Sequence, residues 1–374
     1  MRARTLVFAI AALLMSSGSW PAAKAPRVII GYVFAENELI DPTTIAADKL
    51  THINYAFANI KDGAVVEGFA RDAENFKLLA ELRRAHPHLK ILISVGGWTW
   101  SGAFSDAVLT AESRRRFVQS AVAFVQRHDL DGFDVDWEYP GLPGLGNTHR
   151  REDKQNFTAL MAELRAALDT LGRETHRAYL LTFAAGAFSD FITHTELDTV
   201  QASVDFVNLM TYDFRVAEGD SVSGHHANLF PNSADSEQRS VDRAVKEFLA
   251  AGVPSRKLVV GVPFYGRGWA EVAAERNGRY QPGKPIHPPM DLDYSHLASN
   301  IIGRDGFERF WDAEAQAPYL WNASRRIFVT YDDPESLGRK GQYIVEHGLA
   351  GAMFWEYNAD SGGALLDALN RTLR

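Results

Sequence analysis

Short apolar runs of five to seven residues recur along the chain, separated by stretches with a helical period. Eight such runs stand out: Val28–Phe34, His52–Ala58, Ile91–Val95, Gly132–Trp137, Tyr179–Ala185, Asp205–Thr211, Leu258–Phe264 and Ala350–Trp355. Each is short and rich in β-branched or aromatic residues, as strands buried on both faces are. Between them Ala73–His86, Ala111–His128, Glu152–Leu171 and Ser236–Ala251 place apolar residues on one helical face, and Gly363–Leu373 closes the chain in the same way. Eight strand–helix repeats predict an α/β fold, a TIM (β/α)8 barrel.

The spacing adds an insertion. The first seven runs start 24 to 53 residues apart, whereas Leu258 to Ala350 spans 92. Residues 270–327 carry Tyr280, Tyr294, Phe307, Phe310, Trp311, Tyr319 and Trp321 among glycine and proline turns. Structureless loops of that length are uncommon inside compact domains. The segment therefore reads as a small α+β insertion between the seventh and eighth strands. At the other end, Arg2 and Arg4 precede the apolar run Leu6–Met15, and small residues follow as far as Ala23-Lys24-Ala25. This is the pattern of a secretory signal peptide over residues 1–25, too short to span a bilayer comfortably. The expected organisation is a signal peptide at 1–25 and a barrel at 26–374, with an insertion at 270–327. The expected location is outside the cytoplasm, extracellular or periplasmic.

The chain of 374 residues has 46% hydrophobic and 23% charged residues, which excludes disordered and fibrous classes. Its formal charge of −8 argues against nucleic-acid and membrane partners, which need clustered cations. With no cysteine, disulfides, thiolate metal sites and cysteine nucleophiles are excluded. No cofactor is expected, and the expected state is a monomer.

The sharpest chemical signal is Asp131-Gly132-Phe133-Asp134-Val135-Asp136-Trp137-Glu138-Tyr139-Pro140. Pro140 and the alternation of apolar residues make it a strand. Side chains on a strand alternate sides, so Asp134, Asp136 and Glu138 share one face and Phe133, Val135 and Trp137 the other. In a parallel barrel the apolar face meets the helices and the carboxyls point inward. Three stacked carboxyls cannot all ionise cheaply, because burial and like charge both raise pKa. Glu138 falls at the C-terminal end of the strand, where barrel enzymes keep their chemistry. Asp-x-Asp-x-Glu could alternatively hold Mg²⁺ or Ca²⁺. Against a metal, the outward neighbours are aromatic and no phosphate-binding glycine loop precedes the strand. Gly141-Leu142-Pro143-Gly144-Leu145-Gly146 follows it as a rim loop.

The same run resembles the D-x-x-D-x-D-x-E signature of glycoside hydrolase family 18, the chitinases. Ser94-Val95-Gly96-Gly97-Trp98 resembles the family's S-x-G-G, and Met210-Thr211-Tyr212-Asp213 its M-x-Y-D. Tyr265-Gly266-Arg267 and Gly351–Glu356 resemble the ends of the seventh and eighth strands, and residues 270–327 the chitinase insertion domain. One departure is Ala184-Ala185-Gly186-Ala187, where many relatives carry A-x-P-A; it leaves open the shape of the adjoining subsite.

The resemblance implies a role for each matching residue. Glu138 protonates the leaving oxygen, and the substrate's own 2-acetamido group is the nucleophile. Asp136 orients that group and stabilises the oxazolinium, while Asp134 holds or shares a proton with Asp136. Tyr212 donates to the acetamido oxygen. Asp213 and Arg267 bind sugar hydroxyls, assisted by Tyr265, and Met210 belongs to the same substrate-binding set. Trp355 is the floor under the scissile sugar, and Trp98 a more distant subsite on the non-reducing side. Tyr32 and Phe57 line the floor's edge. Cis peptides are implied at Ala56–Phe57, Glu138–Tyr139 and Trp355–Glu356. His225 and His226 read as solvated loop histidines. The implied activity is retaining hydrolysis of chitin or chito-oligosaccharides. An endo-β-N-acetylglucosaminidase and a chitin-binding lectin on the same barrel are the alternatives. The insertion favours a polymer groove, and lectins on this barrel typically lack the acid that Glu138 supplies.

Overall fold

The computed structural model describes residues 27–374. Eight parallel strands form the barrel: β1 (Val28–Phe34), β2 (His52–Lys61), β3 (Lys90–Gly96), β4 (Gly132–Asp136), β5 (Leu180–Gly186), β6 (Phe206–Met210), β7 (Leu258–Pro263) and β8 (Gly351–Trp355). Each pairs with its sequence neighbours, and β1 pairs with both β2 and β8, so the sheet closes. All eight coincide with the predicted runs. β2 runs past its predicted end and turns back through an antiparallel strand at Ala64–Val66.

The outward face of β4 packs as its alternation requires. Trp137 stacks on Phe104 (5.2 Å, 14°) and Phe133 meets Phe117 edge-on at 6.2 Å. Phe157, Leu160 and Leu164 of the helix Asp153–Thr175 join the same buried cluster. The predicted helix at 236–251 begins only at Val241, because the Ser240 side chain accepts from the Arg243 N–H and caps it there. A further helix, Pro334–Glu346, lies outside the predicted set. Its start is encoded by Asp333 at the N-cap, Pro334 in the first turn and a reciprocal Ser336 bond.

Between β7 and β8 stands a five-stranded antiparallel sheet. Its spatial order is Lys284–Pro285, Arg267–Ala270, Ile327–Thr330, Ala317–Asn322, Phe307–Asp312. Trp269, Val272, Tyr319, Trp321 and Phe328 form its own buried core. The sheet starts at Arg267, three residues before the expected boundary, and ends at Thr330, three after it. The expected signal peptide at 1–25 lies outside the described residues. Among those described, no helix is long and apolar enough to cross a membrane.

Candidate active site

The barrel interior is built around Asp134. Tyr32 Oη donates to its Oδ2 at 2.9 Å, Ser94 Oγ to the same oxygen at 2.7 Å, and Asn208 Nδ2 to Oδ1 at 3.2 Å. Thr182 Oγ1 donates to Oδ1 as well. These four donors come from β1, β3, β6 and β5. Ser94 and Thr182 are the direct register partners of Asp134 on the two neighbouring strands. Burial raises the Asp134 carboxyl, and the hydrogen bonds of Thr182, Ser94, Tyr32 and Asn208 oppose the rise.

Asp136 stands one step up the same face, with a different environment. Its Oδ1 is buried and has no hydrogen-bond partner among the described residues. Burial, then the charges of Glu138 and Asp134, push this carboxyl well above the usual range. Glu138 caps the stack at 8% exposure. Burial pushes it up to about 7; the Tyr139 hydroxyl opposes the rise and the Asp213 charge adds to it. The position is fixed from behind, since the Glu138 N–H donates to Ser101 Oγ at 2.9 Å and that hydroxyl reaches Asp136 O at 3.1 Å. The rim loop closes over it, with Asn147 Nδ2 donating to Glu138 O at 3.2 Å. An acid still protonated near neutral pH can deliver a proton to a leaving group.

Asp213 faces the stack from the end of β6, with a left-handed φ of 54°. Arg267 grips it with two bonds of 2.8 Å, and Tyr265 Oη donates at 3.0 Å. Burial alone would raise this carboxyl, but His226 and Arg267 outweigh burial and hold it well below the carboxylate range. It stays charged where Glu138 does not. His226 is fully buried 3.5 Å from Asp213, and His225 is buried 3.0 Å from Asp312 of the insertion. The reading of these two as solvated loop histidines is thus corrected. The loop after β6 is pinned under the insertion, so both rings lie inside the interface.

The aromatic residues form a floor and a wall. Trp355, at the end of β8, stacks on Phe57 (5.4 Å, 17°) and lies 5.9 Å from Tyr32 and 5.6 Å from Phe34. Tyr32 is 2% exposed and Phe57 8%, so both support the tryptophan from below rather than lining its edge. Gly97 makes this packing possible, because a Cβ there would lie 2.7 Å from the Phe57 ring. Met210 and Tyr212 are partly buried against the same cluster, and Tyr212 Oη lies 4.0 Å from the Met353 sulfur. Trp98 is 49% exposed at the end of β3, 6.5 Å from Tyr139. The peptides Ala56–Phe57, Glu138–Tyr139 and Trp355–Glu356 are all cis, as the resemblance implied. Among the described residues, no group of three or more His, Cys, Asp or Glu is arranged to hold a metal ion.

Comparison with known proteins decides the family. The model of glycosyl hydrolases family 18 matches residues 28–360. The chain belongs to glycoside hydrolase family 18. Within family 18 it is 40% identical to Chitinase A1 of Niallia circulans, across 89% of this chain and 55% of that protein, so it spans about half of that relative's length. A solved family 18 N-acetylglucosaminidase from Paenibacillus barengoltzii superimposes with a TM-score of 0.85 at 42% identity, covering 92% of this chain and 99% of that one. A chitinase from Bacillus thuringiensis superimposes with a TM-score of 0.88 at 36% identity, covering 93% of this chain and 70% of that one.

Sequence reading placed the family 18 carboxyls on one face but missed the shell that holds them. Ser94 appeared only as part of a motif, and Thr182, Asn208, Ser101 and Tyr139 carried no site role. Each is a common residue with no local signal: Ser94, Thr182 and Asn208 sit inside apolar runs, and Ser101 and Tyr139 lie just past the ends of β3 and β4. What marks Ser94 and Thr182 is their level in the barrel, which depends on strand register.

Proposed function

We propose that this protein is a chitinase exported by the leader at 1–25, with a catalytic barrel at 26–374 and an insertion at 270–327. It hydrolyses β-1,4 bonds between N-acetylglucosamine units with net retention. The observation that carries the reading is Glu138: a buried carboxyl at the C-terminal end of β4, above Asp136 and Asp134 on one strand face, which burial pushes up to about 7, in a barrel whose mouth also holds the half-buried Trp355 at the end of β8. A pyranose presents an apolar C–H face that stacks well on indole. With the scissile sugar on Trp355, Glu138 protonates the glycosidic oxygen as the bond breaks. The acetamido oxygen attacks the anomeric carbon, held by Tyr212, and Asp136 balances the positive oxazolinium. Asp134, fixed by its four donors, keeps Asp136 pointed along the stack. Glu138, now ionised, takes a proton from the water that opens the oxazolinium. Asp213, Arg267 and Tyr265 bind sugar hydroxyls.

In this pose the leaving group extends past Glu138 toward Tyr139. Trp98 lies beside Tyr139 and not among the rings that support Trp355. We therefore assign Trp98 to the leaving-group side rather than the non-reducing side.

The test is a time course on the N-acetylglucosamine hexamer, with a high-mannose glycoprotein in parallel. Dimers and trimers released early, with the β-anomer dominant, support the reading. Cleavage of the glycoprotein alone would replace it with an endo-β-N-acetylglucosaminidase. A substrate whose acetamido group is removed should be inert. A second reading, release of single N-acetylglucosamine units, is favoured by the likeness to the solved Paenibacillus N-acetylglucosaminidase, 99% of whose solved chain this chain covers. Monomer as the sole early product would select it.

A further inference from the structure

Resting on the chitinase reading, we infer that Asp153, a buried carboxyl outside the sugar trough, is a positioning residue for the general acid: it ties the loops after β3 and β4 together, and each loop gives one side chain to the main chain of Glu138.

Glu138 lies beyond the sheet. The pairing of β4 with β3 ends at Asp136, and its pairing with β5 ends at Val135. Among the described residues no strand pairs with Glu138, and buried peptide groups need partners. Ser101, in the loop after β3, accepts from the Glu138 N–H, and its hydroxyl also reaches Gly97 O at 2.9 Å. Asn147, in the loop after β4, donates to Glu138 O and to Leu142 O at 3.1 Å. Gly144 of the same loop lies so close that a Cβ there would stand 2.2 Å from Glu138 O. Two loops, rather than the barrel ladder, therefore place the backbone of the acid.

Asp153 joins these loops. It is fully buried in the first turn of the helix Asp153–Thr175. Its Oδ1 accepts from Ser105 Oγ at 2.6 Å, and Ser105 follows Ser101 by four residues in the same short helical segment. Its Oδ2 accepts from the N–H groups of Arg150 at 2.7 Å and Gly141 at 3.3 Å, near the two ends of the loop that carries Asn147. Arg150 closes the circuit, because its guanidinium donates to Ser105 Oγ at 2.7 Å and to Asp106 Oδ1 at 2.6 Å. A carboxyl at a helix N-terminus is favourable by itself, but that alone does not require one oxygen on each of two loops.

Moving either loop moves Glu138, and proton transfer needs the acid within about 2.6–3.2 Å of the glycosidic oxygen. The sugar contacts proposed for Asp213, Arg267 and Trp355 come from residues near the ends of β6, β7 and β8 and do not pass through this clamp. Loosening the clamp should therefore slow leaving-group protonation and spare binding.

Two variants test this. Ser105→Ala cuts the arm to the β3 loop with little change of volume, and Asp153→Asn weakens both arms. Steady-state kinetics are measured on the hexamer and on an activated aryl glycoside of the dimer, whose leaving group needs little protonation, with melting curves to confirm folding. In both variants kcat/KM on the hexamer should fall about tenfold through kcat, as small misplacements of a catalytic group do, with KM within about twofold of wild type. On the aryl glycoside kcat/KM should stay within about twofold. Ser105→Ala carries the test alone if Asp153→Asn does not fold. Equal losses on both substrates in a folded variant would overturn the inference, as would a hexamer rate close to wild type; either result leaves the chitinase reading standing. A wild type inert on every chito-oligosaccharide would remove that reading, and the inference with it.

Discussion

Asp131, at the foot of β4, and Asp136, near its top, are both 5% exposed, and their surroundings are opposite. Asp131 meets Arg83 at 2.9 Å, Arg177 at 3.1 Å and Lys90 at 3.9 Å, and accepts from the Ile91 N–H at 3.0 Å. Asp136 has an oxygen with no partner among the described residues, and its charged neighbours are Asp134 and Glu138. One strand thus neutralises a carboxylate with cations at its N-terminal end and withholds cations at its C-terminal end. The first arrangement ties neighbouring segments together. The second keeps carboxyls poorly solvated, so their protons and charges are available for chemistry. Barrels commonly divide their two faces in this way.

The largest expected effect attacks the top of that strand. Glu138→Gln should lower kcat on the hexamer by about 10²–10⁴-fold, the usual worth of a general acid, with KM little changed. An aryl glycoside with a good leaving group should recover much of its bond-breaking rate in this variant. Equal loss on both substrates would mean that Glu138 does something other than protonate.

The next pair crosses the two ends. Asp136→Asn should lower kcat by about 10²-fold or more, as loss of preorganised charge stabilisation does, and no good leaving group should rescue it. The sign on stability is the reverse. Because the folded Asp136 carboxyl is raised, this group's contribution to stability is fully present below the ordinary aspartate range and is lost as pH rises through its raised folded value. Asp136→Asn should therefore melt higher than wild type at neutral pH. Asp131→Asn should leave the catalytic rate near wild type and lower stability by about 2–3 kcal/mol, by stranding partly buried arginines. If melting temperatures move the same way in both variants, the contrast between the ends fails.

Smaller still is the pH effect. With Glu138 at about 7, its acid form is lost as pH rises, so kcat/KM should fall on the alkaline side with a midpoint near 7. Asp213→Asn removes a like charge facing Glu138 and should shift that limb to lower pH by a fraction of a unit. A limb unmoved in this variant would separate Asp213 from the acid. The smallest expected effect is none: EDTA should leave hydrolysis intact. Loss restored by Mg²⁺ or Ca²⁺ would recast the carboxyl stack as a metal site.

All eight barrel strands and their order were legible from periodicity, and the acidic face of β4 from parity alone. Both are local properties, because strand alternation places Asp134, Asp136 and Glu138 together whatever surrounds them. The helix at Pro334–Glu346 was equally local, encoded by the Asp333 cap, and was passed over for want of a long apolar stripe. The sequence by itself thus determined the barrel, the insertion's place and which carboxyls share a face. Only the tertiary structure decided what each carboxyl experiences. Tyr32 and Asn208 reach Asp134 across 102 and 74 residues of chain, and His226 meets Asp213 only because the insertion presses their loop inward. Solvation and charge pairing depend on whatever closes over a side chain, and in a closed barrel those neighbours come from strands remote in sequence.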